Sequence, residues 1–414
     1  MATRHLTYTI LQLDKKHVHR DTQTPTAYVR LRTHQSLNGP GHLWIYAGHL
    51  GQVVGHAETG GLIDVLTPNG RFYGRGFYNP FSKIRIRLLT FEDEPIDEAF
   101  WRRRIQQAIR LRQRVVAQTN AYRLIYGEGD RLPGLIVDRY DRTLVMQTLS
   151  SGMDSRKQLL AELLVKELNI ASVFLRNDAK SRQLEGLPVE SGFLHGDGHT
   201  QVEVQEGAAR FVVDIERGQK TGWFCDQREN RLAAATLAAG STVLDVFCYT
   251  GAFGIHAALA GATAVEGLDV SEEMLGLARE HAERNHVAPQ CTYRKVDAFD
   301  EMRKLVGAGR RYELVMLDPP AFARSRQALS RALAGYKDVN LLGLRLVKPE
   351  GYMVTSSCSH PVSEEDLWTA IRRAARDAKR EVRLIVRRGQ SPDHPILASM
   401  PETRYLKCLI LQVF

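Results

Sequence analysis

Two short segments of the sequence carry side chains that can take part directly in covalent chemistry. The first is Leu317-Asp318-Pro319-Pro320-Ala321-Phe322. Two prolines hold the chain extended, so the Asp318 carboxylate is expected to point into a cleft. Pro319, Pro320 and Phe322 would then meet a planar substrate, with Phe322 stacking on a base taken out of its helix. An acid-Pro-Pro-aromatic segment suits methyl transfer to planar, nitrogen-bearing groups. The second segment is Thr355-Ser356-Ser357-Cys358-Ser359-His360. A lone cysteine is usually a small buried hydrophobe. Here the polar surroundings and the position at a strand end favour a nucleophile. A thiolate adding to carbon 6 of a pyrimidine makes carbon 5 reactive toward a methyl group. His360 is as well explained by a surface or structural role.

A third segment would hold the methyl donor. Leu244-Asp245-Val246-Phe247-Cys248-Tyr249-Thr250-Gly251-Ala252-Phe253-Gly254 lies between an expected strand and its helix. In an open α/β sheet this is where a nucleotide-like ligand binds. The dinucleotide pattern GxGxxG is missing, because Phe247 and Tyr249 stand where glycines would be needed. A pyrophosphate demands close backbone approach at a helix N-terminus. S-adenosylmethionine has no phosphate and tolerates bulkier residues, so the loop argues for it and against NAD. Asp269, about 20 residues further on, is placed to bind ribose hydroxyls. Asp297 is placed to accept from an adenine amino group, with Ala298 and Phe299 beside the ring. One such Asp is more often a helix cap; three at successive strand ends weaken that explanation.

These segments need a scaffold, and the chain supplies an alternating one. Strands are expected at 242–247, 264–269, 291–296, 314–317, 352–356, 382–386 and 406–413. Helices are expected at 271–285, 336–346 and 363–378. Such alternation means a mostly parallel sheet covered on both faces. The last strand follows a loop with no helical pattern, which predicts an antiparallel partner. Upstream, short runs at 30–32, 62–66, 72–76 and 84–89 read as a small β-barrel. Ile84-Arg85-Ile86-Arg87-Leu88 would pack one face and present arginine on the other. A helix at 95–118 buries Trp101, Ile105, Ala108 and Val115, leaving Arg102, Arg103, Arg104, Arg110 and Arg114 largely off that stripe. That face is either solvated or turned to RNA. Strands at 135–137, 144–149 and 172–175 with a helix at 155–168 form a second unit, and 201–215 holds strands leading into the third. The expected domains are therefore 1–94, 95–200 and 201–414, with no firm structure for residues up to 24.

Composition fits this plan. The 414 residues are 43% hydrophobic and 25% charged, the profile of a folded chain of two or three domains. There is no membrane-length apolar run and no secretory signal. Five scattered cysteines without a CxxC pair argue against a disulfide framework or a zinc site, and for the cytoplasm. A net charge of +9 invites an acidic partner, of which nucleic acid is the commonest.

Several further segments resemble one family. They are Gly41-His42-Leu43-Trp44-Ile45-Tyr46, Gly76-Phe77-Tyr78-Asn79-Pro80, and 128–138 from Glu128-Gly129-Asp130 to Ile136-Val137-Asp138. The most specific is Gly218-Gln219-Lys220-Thr221-Gly222-Trp223-Phe224-Cys225-Asp226-Gln227-Arg228-Glu229-Asn230-Arg231. With these, the chain resembles bacterial 23S ribosomal RNA cytosine-5 methyltransferases that carry an N-terminal PUA domain, over nearly its whole length from about residue 27. The resemblance implies a PUA β-barrel, a small central α+β domain and a Rossmann-like class I methyltransferase domain with a mixed seven-stranded sheet. It implies S-adenosylmethionine as donor, ribosomal RNA (23S or a large-subunit precursor) as partner, and a homodimer. It adds Lys220, Thr221, Gly222, Asp226, Gln227 and Arg228 to the cofactor pocket formed by Asp245, Phe247, Tyr249, Thr250, Gly251, Asp269, Asp297, Ala298, Phe299 and Asp318. It makes Cys358 the nucleophile and Asp318 the contact to the target base. Many of the wider RNA cytosine-5 enzymes carry a second cysteine after the Asp-x-Pro; here Ala321 takes that place, as in the subgroup, so the base that removes the carbon 5 proton is unassigned.

Two other readings compete. The same fold can methylate a base nitrogen such as a guanine's, which needs Asp318 and Phe322 but no thiolate. A non-catalytic RNA-binding protein need not keep Asp245, Asp269, Asp297 and Asp318 together. The barrel and the arginine helix would hold RNA phosphates. Arg324, Arg326, Arg387 and Arg388 would line the cleft mouth. Asp393-His394-Pro395 would border the cleft or make a turn.

Overall fold

The computed structural model describes residues 25–33, 41–323 and 325–414. The segment 1–24 and Arg324 lie outside the described residues. The N-terminal unit is one six-stranded sheet in the order Trp44–Tyr46, Ile84–Thr90, Phe72–Tyr78, Leu62–Leu66, Tyr28–Leu31, Leu50–Val54. Its two outer strands are joined by the short turn Ala47–His49, which rolls the sheet toward closure. Val29, Ile45, Ile63, Val65, Ile86 and Leu88 fill the inside. Arg87 does not point free into solvent as the alternation suggested. It pairs with Glu128 at 3.2 Å and Glu185 at 3.0 Å, both on the central unit.

The helix Glu98–Val115 starts at Asp97, whose side chain accepts from the Phe100 amide at 2.8 Å. Its arginine face is not the one the stripe predicted. Arg104 is buried, lies over the Phe100 ring and donates to the Leu89 carbonyl. It sits one turn from both Phe100 and Ala108, so its stem belongs to the apolar stripe. Arg112 is buried too and pairs with Asp130. Arg102 pairs with Glu98 and Glu167, and Arg103 with Glu94. Of the five arginines expected off the stripe, Arg102 and Arg103 carry ion pairs and Arg104 a backbone hydrogen bond, while Arg110 and Arg114 carry neither among the described residues.

The central unit is a five-stranded sheet ordered Glu190–His195, Ser172–Asn177, Thr143–Thr148, Leu135–Tyr140, Ala121–Tyr126. Helix Lys157–Leu168 makes the crossover between its one parallel pair. A ribbon of Gln201–Glu206 and Ala209–Asp214 then leads into the last unit and shares its core.

The C-terminal unit holds seven strands: β1 Thr242–Val246, β2 Ala264–Asp269, β3 Cys291–Lys295, β4 Tyr312–Leu317, β5 Val347–Ser357, β6 Val382–Arg388 and β7 Lys407–Val413. Helices α1 Ala252–Leu259, α2 Glu272–Arg284, α3 Ala298–Gly307, α4 Leu329–Leu346 and α5 Glu364–Ala378 alternate with them. The sheet order is β3-β2-β1-β4-β5-β7-β6, parallel except for β7, which runs antiparallel to both neighbours as expected. Two buried clusters form its faces, one under α1 and α2 and one under α3, α4 and α5. The chain order reverses beside β1, so the carboxyl ends of β1, β2, β4 and β5 open onto one crevice.

The loop between β6 and β7 ties the units together. Asp393, fully buried, accepts both guanidinium arms of Arg228 at 3.1 and 3.2 Å. It also accepts the Arg123 amide at 2.8 Å, while its carbonyl accepts Arg112 at 2.6 Å. Further along, the Leu43 amide meets the Met400 sulfur and His42 faces Glu402. The sequence offered Asp393-His394-Pro395 as a cleft border or a turn; a turn does form there, closed by the His394 amide on the Ser391 carbonyl at 2.9 Å, and the loop it belongs to is also the joint of three units.

Candidate active site

The loop after β1 is shaped by its own backbone. Phe247 and Tyr249 have φ of 65° and 52°, in the left-handed region that favours glycine. They occupy the conformations glycines would, yet keep their side chains. Asp245, buried in β1, accepts the Gly254 amide at 2.9 Å and fixes the first turn of α1. Asp269 accepts the Tyr249 amide at 2.9 Å and the Ser271 amide at 3.0 Å. Asp297 caps α3 by accepting the Asp300 amide at 3.0 Å. So each of the three carboxylates first holds backbone, and Asp297 is a cap in the strict sense. Each oxygen retains further lone pairs for a ligand. Gly251 leaves no room for a side chain, since an added Cβ would sit 2.8 Å from the Tyr293 hydroxyl. The Thr250 hydroxyl is buried with no hydrogen-bond partner among the described residues.

Phe247, Phe299, Phe322 and Tyr336 form a row of rings, with neighbouring centroids 6.3, 6.2 and 4.7 Å apart. Phe322 is half-buried in this wall rather than free. Ala298 is buried behind it. Pro319 is buried and Pro320 exposed.

The run 218–231 folds over the crevice and divides its labour. Lys220, itself at a φ of 55°, reaches Asp226 at 2.6 Å and lies 4.4 Å from the Phe224 ring centroid. The Tyr405 hydroxyl donates to the same Asp226 oxygen. The other oxygen of Asp226 is buried and unpartnered among the described residues. Gln227 donates to Asp318 at 2.9 Å. Gly222 has a φ of 126°, and a Cβ there would strike Val213. Thr221 and Arg228 point elsewhere. Thr221 contacts Asp138 and Tyr140 of the central sheet, and Arg228 is the partner of Asp393. Their side chains are committed to joining domains.

Across the crevice, Asp318 follows β4 and Cys358 follows β5. Burial, and then the Asp226 charge, push Asp318 up to about 6. Burial, with help from Asp318, pushes Asp245 up to about 7. The Cys358 thiol is raised to about 11 by burial first and by Asp318 next, while Lys220 draws it down. Ser359 pins the two loops together: its hydroxyl accepts the Ala323 amide at 3.1 Å and meets the Tyr336 hydroxyl at 2.9 Å. His360 is exposed and stacks on Tyr405. Arg387 and Arg388 are engaged by Glu364 and Asn230. Tyr405 and Lys407 escaped the sequence reading. The signal was present, because Lys407 is a charge set directly before the apolar run 408–411.

The residues fit S-adenosylmethionine. The loop lacks close backbone access for a phosphate, a neutral hydroxyl and one carboxylate oxygen stand unpartnered, and acids end the strands where hydroxyl and ammonium groups need acceptors. Comparison with known proteins agrees. Residues 39–91 match a PUA-like domain family, and residues 183–409 match the S-adenosylmethionine-dependent methyltransferase family. The chain is 40% identical over 376 residues to ribosomal RNA large subunit methyltransferase I of Alteromonas mediterranea, spanning 90% of this chain and 95% of that one. It is 37% identical over 378 residues to the Shewanella amazonensis protein of the same name, spanning 90% and 96%. The solved structure of SMU.776 complexed with SAH shares the fold, with a TM-score of 0.79 at 20% identity over 93% of this chain and 99% of that one. With a PUA-like domain ahead of a seven-stranded catalytic sheet, the chain belongs to the S-adenosylmethionine-dependent methyltransferase family.

Proposed function

We propose that the protein methylates carbon 5 of a cytosine in large-subunit ribosomal RNA, with Cys358 as nucleophile. The single observation that carries this is the juxtaposition of Cys358 and Asp318 at the ends of adjacent strands, close enough for the Asp318 charge to act on the Cys358 thiol. The names of the close relatives supply the RNA, and the PUA-like domain suits it. No helix among the described residues is long and apolar enough to cross a membrane. We place the protein in the cytoplasm, where its RNA is made.

In this reading the Cys358 thiolate forms a bond to carbon 6 of the base. Asp318, held up near 6 and so partly protonated close to neutrality, gives its proton to ring nitrogen 3 as that bond forms. Carbon 5 then carries the electron pair for the new carbon–carbon bond. S-adenosylmethionine supplies an electrophilic methyl group. The carbon 5 proton leaves to a base, the thiolate is expelled from carbon 6, and nitrogen 3 returns its proton to the Asp318 carboxylate, which restores the ring. Lys220, Asp226 and the Asp245–Gly251 loop hold the donor, with Asp269, Asp297, Ala298 and Phe299 along its nucleoside. Gln227 keeps Asp318 in place, Pro319 and Pro320 flank the base, and Thr221, Gly222 and Arg228 set the fold of the segment.

A second reading, methylation of a base nitrogen, draws on the raised Cys358 thiol, which a nitrogen methyltransferase would not use. Cys358→Ala separates the two. Lost methyl transfer to large-subunit RNA, with S-adenosylmethionine binding unchanged in calorimetry, supports the nucleophile; full activity sinks it. Mass spectrometry of rRNA fragments from cells lacking the protein identifies the methylated position.

A further inference from the structure

Lys407 is a buried charge that the chemistry above leaves unused. It opens β7, is 4% exposed, and its register partner on β5 is Ser357, the residue before the nucleophile. Its ammonium donates to the Ser359 carbonyl at 2.7 Å, one residue past the nucleophile, and to the Tyr405 carbonyl at 2.8 Å. An ammonium has three N–H donors, so one is left over. Two carbonyls alone do not call for a charge; a neutral donor would satisfy them without the cost of burying an ion. That cost is visible, because burial pulls Lys407 down to about 8. The Cys358 charge acts against that pull and favours the ammonium. Two interacting sites act on each other equally, so the ammonium favours the thiolate.

We propose that Lys407 is the positioning residue of the nucleophile: its ammonium clamps the Cys358 loop to β7 and places beside Cys358 a positive charge that eases loss of the thiol proton. This rests on the reading of Cys358 as nucleophile. The thiol proton leaves to solvent, which a half-buried sulfur can reach. Other charges face the pair. Asp318 after β4 and Asp226 oppose the thiolate, and Lys220 favours it. Arg404 opposes the ammonium, and Asp366 of α5 favours it. His360, beside the loop, is lowered by burial and by Lys407. Lys407 is thus the cation that touches the backbone of the nucleophile's own loop.

The test is the pH dependence of iodoacetamide alkylation at Cys358, resolved by peptide mass spectrometry on the full chain. Lys407→Gln keeps a donor for the carbonyls and removes the charge; Lys407→Arg keeps the charge. The expected result is about tenfold slower alkylation at pH 8 in Lys407→Gln, equivalent to a rise of about one pH unit in the midpoint, and a rate within about twofold of wild type in Lys407→Arg. A Lys407→Gln protein that titrates like wild type overturns the proposal, as does a Lys407→Arg protein slowed equally. Should Lys407→Gln fail to fold, Lys407→Arg decides at pH 9, where Lys407, near 8, has mostly lost its proton and arginine has not: alkylation several-fold faster than wild type supports a cation acting on the thiol, and an unchanged rate overturns it. Methyl transfer surviving in Cys358→Ala, with the Lys407 effect on alkylation intact, would sink the nucleophile reading and leave the pairing standing.

Discussion

Two sets of buried acids in this molecule face opposite ways. Glu206 sits between Arg231 at 2.5 Å and His256 at 3.1 Å, and Asp393 receives Arg228. Both are held below the ordinary carboxylate range in spite of burial, Glu206 by Arg231 and then His256, Asp393 by His394 and then Arg228. Asp245 is buried and Asp318 partly so, yet no cation contacts either one, and both are pushed up by burial first and by a neighbouring acid. The first set joins domains and segments. The second lines the crevice. The fold neutralises acids where it needs glue and leaves them under-compensated where a cationic ligand has to bind. Asp226 stands at the border: lowered by Lys220, yet with one oxygen unclaimed.

The comparison can be broken at its strongest point first. Asp318→Asn should lower kcat by about 10²- to 10⁴-fold, the ordinary worth of a positioned proton donor, with little change in stability at pH 4. Activity retained within tenfold would mean the crevice acids are not the working set. Next, Arg231→Met should destabilise the fold by about 3–5 kcal/mol in urea unfolding, because it takes the bidentate guanidinium from buried Glu206 and leaves it only His256 and Trp223. A loss below 1 kcal/mol would show that Glu206 is not tightly compensated.

The pH dependence sharpens the contrast. An acid held above its ordinary value contributes stability at low pH and loses it as pH rises through its folded value. For Asp318 and Asp245 that window runs from about 4 up to about 6 and about 7. The lowered acids contribute above their ordinary value and lose it as pH falls below about 4. Asp318→Asn should therefore raise Tm by a few degrees at pH 8 and leave it unchanged at pH 4, an effect of roughly 2–3 kcal/mol. Equal shifts at both pH values would contradict the assignment. The smallest effect concerns the surface. Arg110→Gln with Arg114→Gln should reduce the salt slope of RNA binding by about 1 to 2, while Arg102→Gln and Arg103→Gln, already paired with acids, should change it less. The reverse order would show that the paired arginines release their partners to RNA.

Much of the catalytic unit was legible, because apolar runs of strand length alternate with amphipathic helices there. Ala264–Asp269 begins and ends as expected, and Ser271 and Ser363 cap their helices. The antiparallel last strand followed from a missing crossover helix. The helix Glu98–Val115 was found, but its buried arginines were not. A guanidinium stem is apolar and its head can be satisfied by a carbonyl or an acid distant in sequence, which periodicity does not record. The site divided in the same way. Acids at strand ends were visible from spacing. The separate duties of Thr221 and Arg228 were not, because their partners, Asp138, Tyr140 and Asp393, come from other parts of the chain. Tyr405 and Lys407 were missed because Tyr405 fell just outside the expected strand 406–413 and Lys407 just inside it, where a single charge reads as an outward-facing residue.

The joint between β6 and β7 has a consequence for how the protein holds together. A single buried carboxylate, Asp393, is shared by the Arg228 side chain, the Arg123 amide and, through the Asp393 carbonyl chain, Arg112. Farther along the same loop, the Met400 sulfur and Glu402 meet the first unit. A rigid-body swing of the first module relative to the crevice would therefore have to unmake bonds inside the loop that borders the Asp226–Tyr405 contact. The three units form a fixed gauge rather than a jointed arm: the distance from the first module to Cys358 is set by the fold, and in the proposed reaction an RNA must present its target base at that span.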